Sequence, residues 1–202
     1  MNKNLLCFDL DGTLTRRELL PLIAIEVGLE HEFEVLTKLT VDGIISFEES
    51  LRLRFAILKN IPVDTVQNII CQAELFSKVT AFIRKNHDRC FVITGNLDVW
   101  IRPLIDKLGC RYFSSKVTVK DNRLQSLDYI LNKSTAINSL RRDYPDHQVM
   151  VFGDGLNDYP MFEVADKAIA IGLTHQPSRV LISKSNYVVY EEETLCRLLN
   201  TL

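Results

Sequence analysis

No two cysteines in this 202-residue chain have CxxC spacing. Cys7, Cys71, Cys90, Cys110 and Cys196 are odd in number and scattered, which argues against a disulfide framework or a thiolate zinc site and for reduced thiols. Cys7 and Cys90 lie in apolar runs and read as core filler. His31, His87, His147 and His175 share no ligand spacing and read as surface or loop residues. No apolar run approaches the length of a membrane span, and the first, residues 5–8, is too short for a signal peptide. Charge is balanced, with 24 basic and 26 acidic side chains and a formal net charge of -2, so bulk attraction to nucleic acid or an anionic membrane is excluded and any phosphate attraction must be local. Repeats and low-complexity segments are absent. What remains is 47% hydrophobic and 25% charged, ordinary for a soluble globular protein with one sizeable core and a small accessory module. A cytoplasmic protein is expected, with neither nucleic acid nor membrane as partner and with its oligomeric state open.

The residues that are present concentrate chemistry at the ends of short apolar runs. Leu5-Leu6-Cys7-Phe8 is followed by Asp9-Leu10-Asp11-Gly12-Thr13-Leu14-Thr15, which sets two carboxylates two residues apart, projecting to one side of an extended strand end, with a glycine to turn the backbone away. Alone, this stretch reads equally as an Asp-Gly turn closing a hairpin. Two further runs repeat the construction: Cys90-Phe91-Val92-Ile93 ends in Thr94-Gly95-Asn96, and Val149-Met150-Val151-Phe152 in Gly153-Asp154-Gly155-Leu156-Asn157-Asp158. Each reads as a buried parallel strand with a polar, glycine-containing loop at its end. In open α/β sheets ligands bind at the carboxyl ends of such strands, so these loops should converge. Lys133 adds a cation ahead of a helical stretch, where an isolated lysine would ordinarily be solvated.

The fold class expected is α/β: a doubly wound, Rossmann-like parallel sheet with helices on both faces. Residues 1–14 and 75–202 would form it, and residues 15–74, almost wholly helical, would be a small domain inserted after the first strand. Helices are expected over about 18–27, with Pro21 in the first turn and Gly28 at the end, and over 30–39 before an Asp42-Gly43 turn. Ser46-Phe47-Glu48-Glu49 has the form of a capping box opening a third helix, and Pro62-Val63-Asp64 opens a fourth. Beyond residue 75, helices over 77–85 and 97–108 alternate with strands. Residues 116–119 and 123–125 flank Asp121-Asn122 as a hairpin, residues 168–171 and 187–190 read as the last strands, and 191–202 as a terminal helix.

Asp9-x-Asp11-Gly-Thr-Leu-Thr, the hydroxyl of Thr94-Gly95, Lys133 and Gly153-Asp154-Gly155-x-Asn157-Asp158 resemble, in order and spacing, the four motifs of the haloacid dehalogenase superfamily of phosphatases, and within it the phosphoserine phosphatase group. That resemblance implies that Asp9 attacks phosphorus and forms an aspartyl-phosphate, while Asp11 protonates the leaving alkoxide and then activates water. The bland alternatives are a metal-only ligand and a turn aspartate. It implies Mg2+, held by Asp9, the main-chain carbonyl of Asp11 and Asp154, with Asp158 in direct or water-mediated support; oxygen ligands without His or Cys suit that cation. If these carboxylates converge, each pair ~4 Å apart repels by ~4 kcal/mol at an effective dielectric of about 20, a penalty a divalent ion removes. Thr94, the amides around Gly95, Lys133 and Asn157 would bind phosphate, with Asn157 orienting either Lys133 or a phosphate oxygen.

The helical insertion resembles the group's cap. Phe47, Leu51, Arg54 and Leu58 share one helix face, on which Arg54 is either a snorkelling edge residue or a clamp for a substrate carboxylate. By the resemblance Glu18 would bind an ammonium, Arg54 a carboxylate, and Phe47 would close over the substrate, with Arg52 left to solvent. Two departures stand out: the group's second motif is usually Ser-Gly-Gly, so Asn96 puts a side chain where backbone would lie open, either adding a substrate hydrogen bond or crowding the phosphoserine pose, and Val41 replaces a larger residue such as Met. The function implied is hydrolysis of a small phosphorylated metabolite, phosphoserine or a related amino or hydroxy acid phosphate. The alternatives are phosphoryl transfer to an alcohol such as homoserine, or a catalytically silent phosphometabolite-binding protein.

Overall fold

A computed structural model describes residues 4–202, which run β1 (Asn4–Phe8), α1 (Leu19–Glu26), α2 (Glu30–Val41), α3 (Phe47–Leu58), α4 (Val63–Cys71), α5 (Ser77–Lys85), β2 (Cys90–Leu97), α6 (Asp98–Leu108), β3 (Arg111–Lys120), β4 (Arg123–Tyr129), α7 (Lys133–Asp143), β5 (Gln148–Gly153), α8 (Tyr159–Val164), β6 (Lys167–Ile171), α9 (Arg179–Lys184), β7 (Tyr187–Val189) and α10 (Glu192–Thr201). The strands form one sheet in the order β4-β3-β2-β1-β5-β6-β7, parallel except for the β3–β4 edge. The α/β class expected from the sequence is what is found. The apolar runs are continuous because the central strands are covered on both faces. Along β1, Leu6 and Phe8 point into one core cluster with Val92, Trp100, Met150 and Phe152, whereas Leu5 and Cys7 point into the other with Ile93, Ile137, Leu140 and Val151. Phe8 stacks on Phe152 with centroids 4.5 Å apart; burying one such ring contributes on the order of 2 kcal/mol.

The helical segment leaves and re-enters the sheet at one place. Thr15 and Leu75 form an antiparallel bridge, the Arg16 N–H donates to the Glu74 carbonyl (2.9 Å), and the Phe76 N–H donates to the Leu14 carbonyl (3.0 Å). The capping box of α3 is present: Glu49 N–H donates to Ser46 Oγ (3.2 Å), and Ser46 N–H donates to Glu49 Oε2 (2.7 Å). The start of α4 is covered from a distance. The hairpin tip, with Asp121 and Asn122 both at positive φ as a two-residue turn requires, offers the Asn122 carbonyl to Val63 N–H (2.8 Å) and Asn122 Oδ1 to Asp64 N–H (3.2 Å).

Two elements differ from expectation. β3 begins at Arg111 rather than at 116, because its first half pairs in parallel with β2 before its second half joins the hairpin. Thr94-Gly95-Asn96 is not a loop after β2 but part of it: the register with β3 slips between Ile93 and Leu97, and Ser115 Oγ donates to the Gly95 carbonyl (2.7 Å). All five cysteines are free, with Cys7 and Cys90 buried in the core. Among the described residues no helix is long and apolar enough to cross a membrane.

Candidate active site

The carboxyl ends of β1, β2 and β5 converge as the loop chemistry requires. Asp9 extends β1 by donating its N–H to the Phe152 carbonyl (2.8 Å), and its carboxylate is buried. Lys133 opens α7 next to the N-terminal cap residue Asn132, which accepts from Ser134 N–H (3.0 Å). The lysine is not solvated: it is 3% exposed, and its ammonium donates to Asp9 Oδ1 and to Asp158 Oδ1. Asp158 Oδ2 accepts from the N–H groups of Asp154 (2.9 Å) and Gly155 (3.0 Å), so one carboxylate ties the β5 loop to the lysine. Asp158, rather than the Asn157 amide, therefore orients Lys133: the 3-10 turn Leu156–Asp158 buries the aspartate completely and leaves Asn157 half-buried.

Asp11 is held at both oxygens, Oδ1 accepting from Leu19 N–H (2.9 Å) and Oδ2 from the Asn96 amide. Asp154 Oδ1 accepts from the Thr13 hydroxyl (2.9 Å), and its Oδ2 lies 2.8 Å from His175 Nε2. Gly12 makes this crowding possible: its φ is +72°, and a Cβ there would stand 2.7 Å from Asp154 Oδ2 and 2.9 Å from Glu18 Oε1. Thr94 is buried, its hydroxyl accepting from Asn96 N–H (3.2 Å). From the helical segment Phe47 lays its ring against Gly95, where any Cβ would collide with it.

Arg54 resolves differently from the snorkelling alternative. It is buried between α2 and α3, donating to Ser50 Oγ and to Thr37 Oγ1 (2.8 Å) and lying over the Phe33 ring at 5.3 Å, while its Nε is buried without a hydrogen-bond partner. Among the described residues its contacts come from those two helices, and none joins it to the acidic cluster. Arg52 is exposed and pairs with Glu48 (2.7 Å), as its position on the opposite face predicts. Val41 ends α2 in solvent.

Burial dominates the electrostatics. It pushes Asp9 and Asp158 above the usual carboxylate range; Lys133 opposes this in both, and the neighbouring carboxylates reinforce it. Asp11 is raised by burial to about 6, although the Leu19 N–H and the Asn96 amide favour its charged form. Glu18 is raised to about 8 by burial and by the charges of Asp11 and Asp154. Burial works against the Lys133 ammonium, but Asp158 and Asp9 outweigh it and keep the lysine protonated. The hydrogen bond to Asp154 raises His175 as well.

The sequence model of the haloacid dehalogenase-like hydrolase family matches residues 6–163. The chain belongs to that family. This hydrolase is 31% identical over 183 residues to a phosphoserine phosphatase of Methanocaldococcus jannaschii, covering 83% of this chain and 85% of the relative. It is 29% identical to the phosphoserine phosphatase SerB2 of Mycobacterium tuberculosis over 83% of this chain, but spans less than half, 44%, of that longer protein. Among solved structures, a phospho-aspartyl intermediate analogue of phosphoserine phosphatase superposes with a TM-score of 0.82 at 28% identity, covering 100% of both chains. The family member described here falls with the phosphoserine phosphatase-like group.

The hydrolase's acidic cluster fits a divalent cation. Asp9, Asp154 and Asp158 bring carboxylate oxygens within 4.8 Å of one another, all three residues are buried, and the Lys133 ammonium and the His175 imidazole contact them. Glu18, Asp154 and His175 form a second, mixed oxygen and nitrogen group of the same span. His175 is the clearest residue missed in the sequence. It does sit on an exposed loop between β6 and α9, as expected, yet that loop passes the end of β5, and no spacing rule relates residue 175 to residues 18 and 154. Thr13, a hydroxyl two residues after Asp11, likewise positions a carboxylate by donating to Asp154 Oδ1.

Proposed function

We propose that this phosphatase hydrolyses a small phosphorylated amino or hydroxy acid, phosphoserine first among them, through an aspartyl-phosphate on Asp9 with Mg2+ as cofactor. The observation that carries the reading is the convergence of Asp9, Asp11, Asp154, Asp158 and Lys133 at the carboxyl edge of the sheet. The likeness to phosphoserine phosphatases supports the choice of substrate. Asp9, Asp154, Asp158 and the Asp11 carbonyl would hold the cation, which when bound would offset the repulsion among these carboxylates and the charge of the phosphate.

The remaining steps belong to the chain. Lys133 engages Asp9 Oδ1, which leaves the other oxygen to attack phosphorus in line as the ester P–O bond breaks. Asp11, held by Leu19 and Asn96 and raised to about 6, is poised near neutrality to give its proton to the leaving alkoxide. It then takes a proton from the water that attacks the acyl-phosphate, releasing phosphate and restoring the Asp9 carboxylate. Thr94, the Gly95 N–H, Lys133 and Asn157 would receive the phosphoryl oxygens.

Residues 15–74 serve in this reading as a cap over a core of residues 1–14 and 75–202. The paired linkers at Thr15 and Leu75 act as its hinge and the Phe47 ring against Gly95 is its closed contact. Glu18 would take the substrate ammonium and Arg54 the carboxylate. The test is phosphate release from L-phosphoserine, phosphothreonine, phosphohomoserine and sugar phosphates, in Mg2+ and in EDTA, with Asp9→Asn as control. Mg2+-dependent preference for L-phosphoserine, abolished in D9N, is expected. Turnover that survives D9N would overturn the chemistry, and a flat profile would overturn the substrate.

A further inference from the structure

Asn96 has two polar atoms with different fates. Its Nδ2 donates to Asp11 Oδ2, while its Oδ1 is buried and has no hydrogen-bond partner. The residue is 4% exposed and sits in β2 next to Thr94 and Gly95, its own N–H spent on the Thr94 hydroxyl. A buried carbonyl left unpaired is unfavourable and rare in native proteins. Both atoms branch from one carbon, so the donation that fixes the amide plane also fixes the carbonyl beside Asp11.

We propose that Asn96 is a positioning residue for Asp11 and that its free carbonyl selects substrates carrying an N–H or O–H donor next to the phosphoester, an ammonium or hydroxyl on the leaving group. The proposal rests on the reading of Asp11 as the proton donor. With Leu19 N–H on Oδ1 and the Asn96 amide on Oδ2, the carboxyl group has donors at both ends, and its plane is set before substrate arrives. Loss of the amide frees Asp11 to rotate. A donor on the substrate satisfies the Asn96 carbonyl, and a substrate lacking one leaves it unpaired in the closed site.

The experiment compares wild type, Asn96→Ala and the isosteric Asn96→Asp on four substrates. Phenyl phosphate and p-nitrophenyl phosphate differ in how much their leaving groups need a proton; L-phosphoserine and its deamino analogue differ only in the ammonium. N96A is expected to lower kcat/KM for phenyl phosphate about tenfold more than for p-nitrophenyl phosphate, because a misplaced acid harms only the poor leaving group. N96A should also raise KM about tenfold for phosphoserine and not for its deamino analogue. N96D, which keeps an acceptor and loses the donor, should recover the phosphoserine KM but not the phenyl phosphate rate. Equal losses on both aryl phosphates would overturn the positioning role, since a merely structural defect has no leaving-group dependence. Equal KM changes for phosphoserine and its analogue would overturn the selection. The aryl arm is independent of phosphoserine: a wild type that turns over aryl phosphates and ignores phosphoserine would refute the substrate assignment while still reading the Asn96–Asp11 link. Thermal melts of each variant separate either effect from misfolding.

Discussion

Lys133 and Asp158 lock each other in place: the buried ammonium donates to one oxygen of the aspartate while the other oxygen accepts the main-chain N–H groups of Asp154 and Gly155. The β5 loop, the lysine and Asp9 are thereby one unit, and a change at any of the three is felt at the others.

Lys133→Met removes the cation and leaves Asp9 and Asp158 facing each other in a buried space. Steady-state kinetics should show a loss in kcat of about a hundredfold to a thousandfold, the range for removing one preorganised electrostatic contact. Asp158→Ala should lower unfolding stability in urea by about 3 kcal/mol, since it takes one of two carboxylate partners from the buried lysine and leaves the Asp154 and Gly155 N–H groups without their acceptor. A D158A protein as stable as wild type would show that the pair adds nothing to folding.

Arg54→Ala should weaken turnover of L-phosphoserine far more than that of p-nitrophenyl phosphate, if the guanidinium reads a substrate carboxylate as well as bracing Ser50 and Thr37. Equal losses on the two substrates would reduce Arg54 to a brace between α2 and α3.

The raised carboxyls make the metal-free protein sensitive to pH. Glu18 moves from an ordinary value of 4.5 to about 8, and Asp11 from 3.8 to about 6. A folded-state value above the unfolded one means that the folded protein binds more protons across that interval, so stability falls as pH rises through it. His175, raised from 6.5, adds to the same trend, because its contribution is present below its unfolded value and is lost as pH rises through the folded one. Thermal melts in EDTA should show Tm declining between about pH 5 and about pH 8. Added Mg2+ should raise Tm most at the alkaline end, where protons no longer occupy the carboxylates. A Mg2+ effect that is flat with pH would disconnect these groups from the cation.

His175 Nε2 lies 2.8 Å from Asp154 Oδ2. An arriving divalent cation must displace that contact or share it, so His175→Ala should bind Mg2+ severalfold more tightly by titration calorimetry. Weaker binding in H175A would instead make the histidine a ligand.

Most of the sheet could be read from the chain because the central strands obey a local rule. Runs such as Val149 to Phe152 are apolar without alternation, which only burial on both faces explains, and each ends where polar chemistry begins. The Ser46–Glu49 capping box and the Asp121-Asn122 turn were legible for the same reason: their partners lie within a few residues. The start of β3 was not legible, because residues 111–115 pair with β2, far away in sequence, and have no period of their own. The slip in β2 that makes Thr94 to Asn96 part of the strand is equally a product of its neighbour β3 and of Ser115.

The fold class and the order of the acids Asp9, Asp11, Asp154 and Asp158 were legible in the chain, since strand periodicity, turn residues and motif order are carried by neighbouring residues. Tertiary structure alone decided the pairings: Asp158 rather than Asn157 on Lys133, Asn96 on Asp11, His175 on Asp154, Asn122 at the start of α4, and Arg54 enclosed between two helices. Each of these joins side chains that one-dimensional spacing leaves unrelated, and each is set by which strand ends and helix faces the packed sheet brings within hydrogen-bond reach.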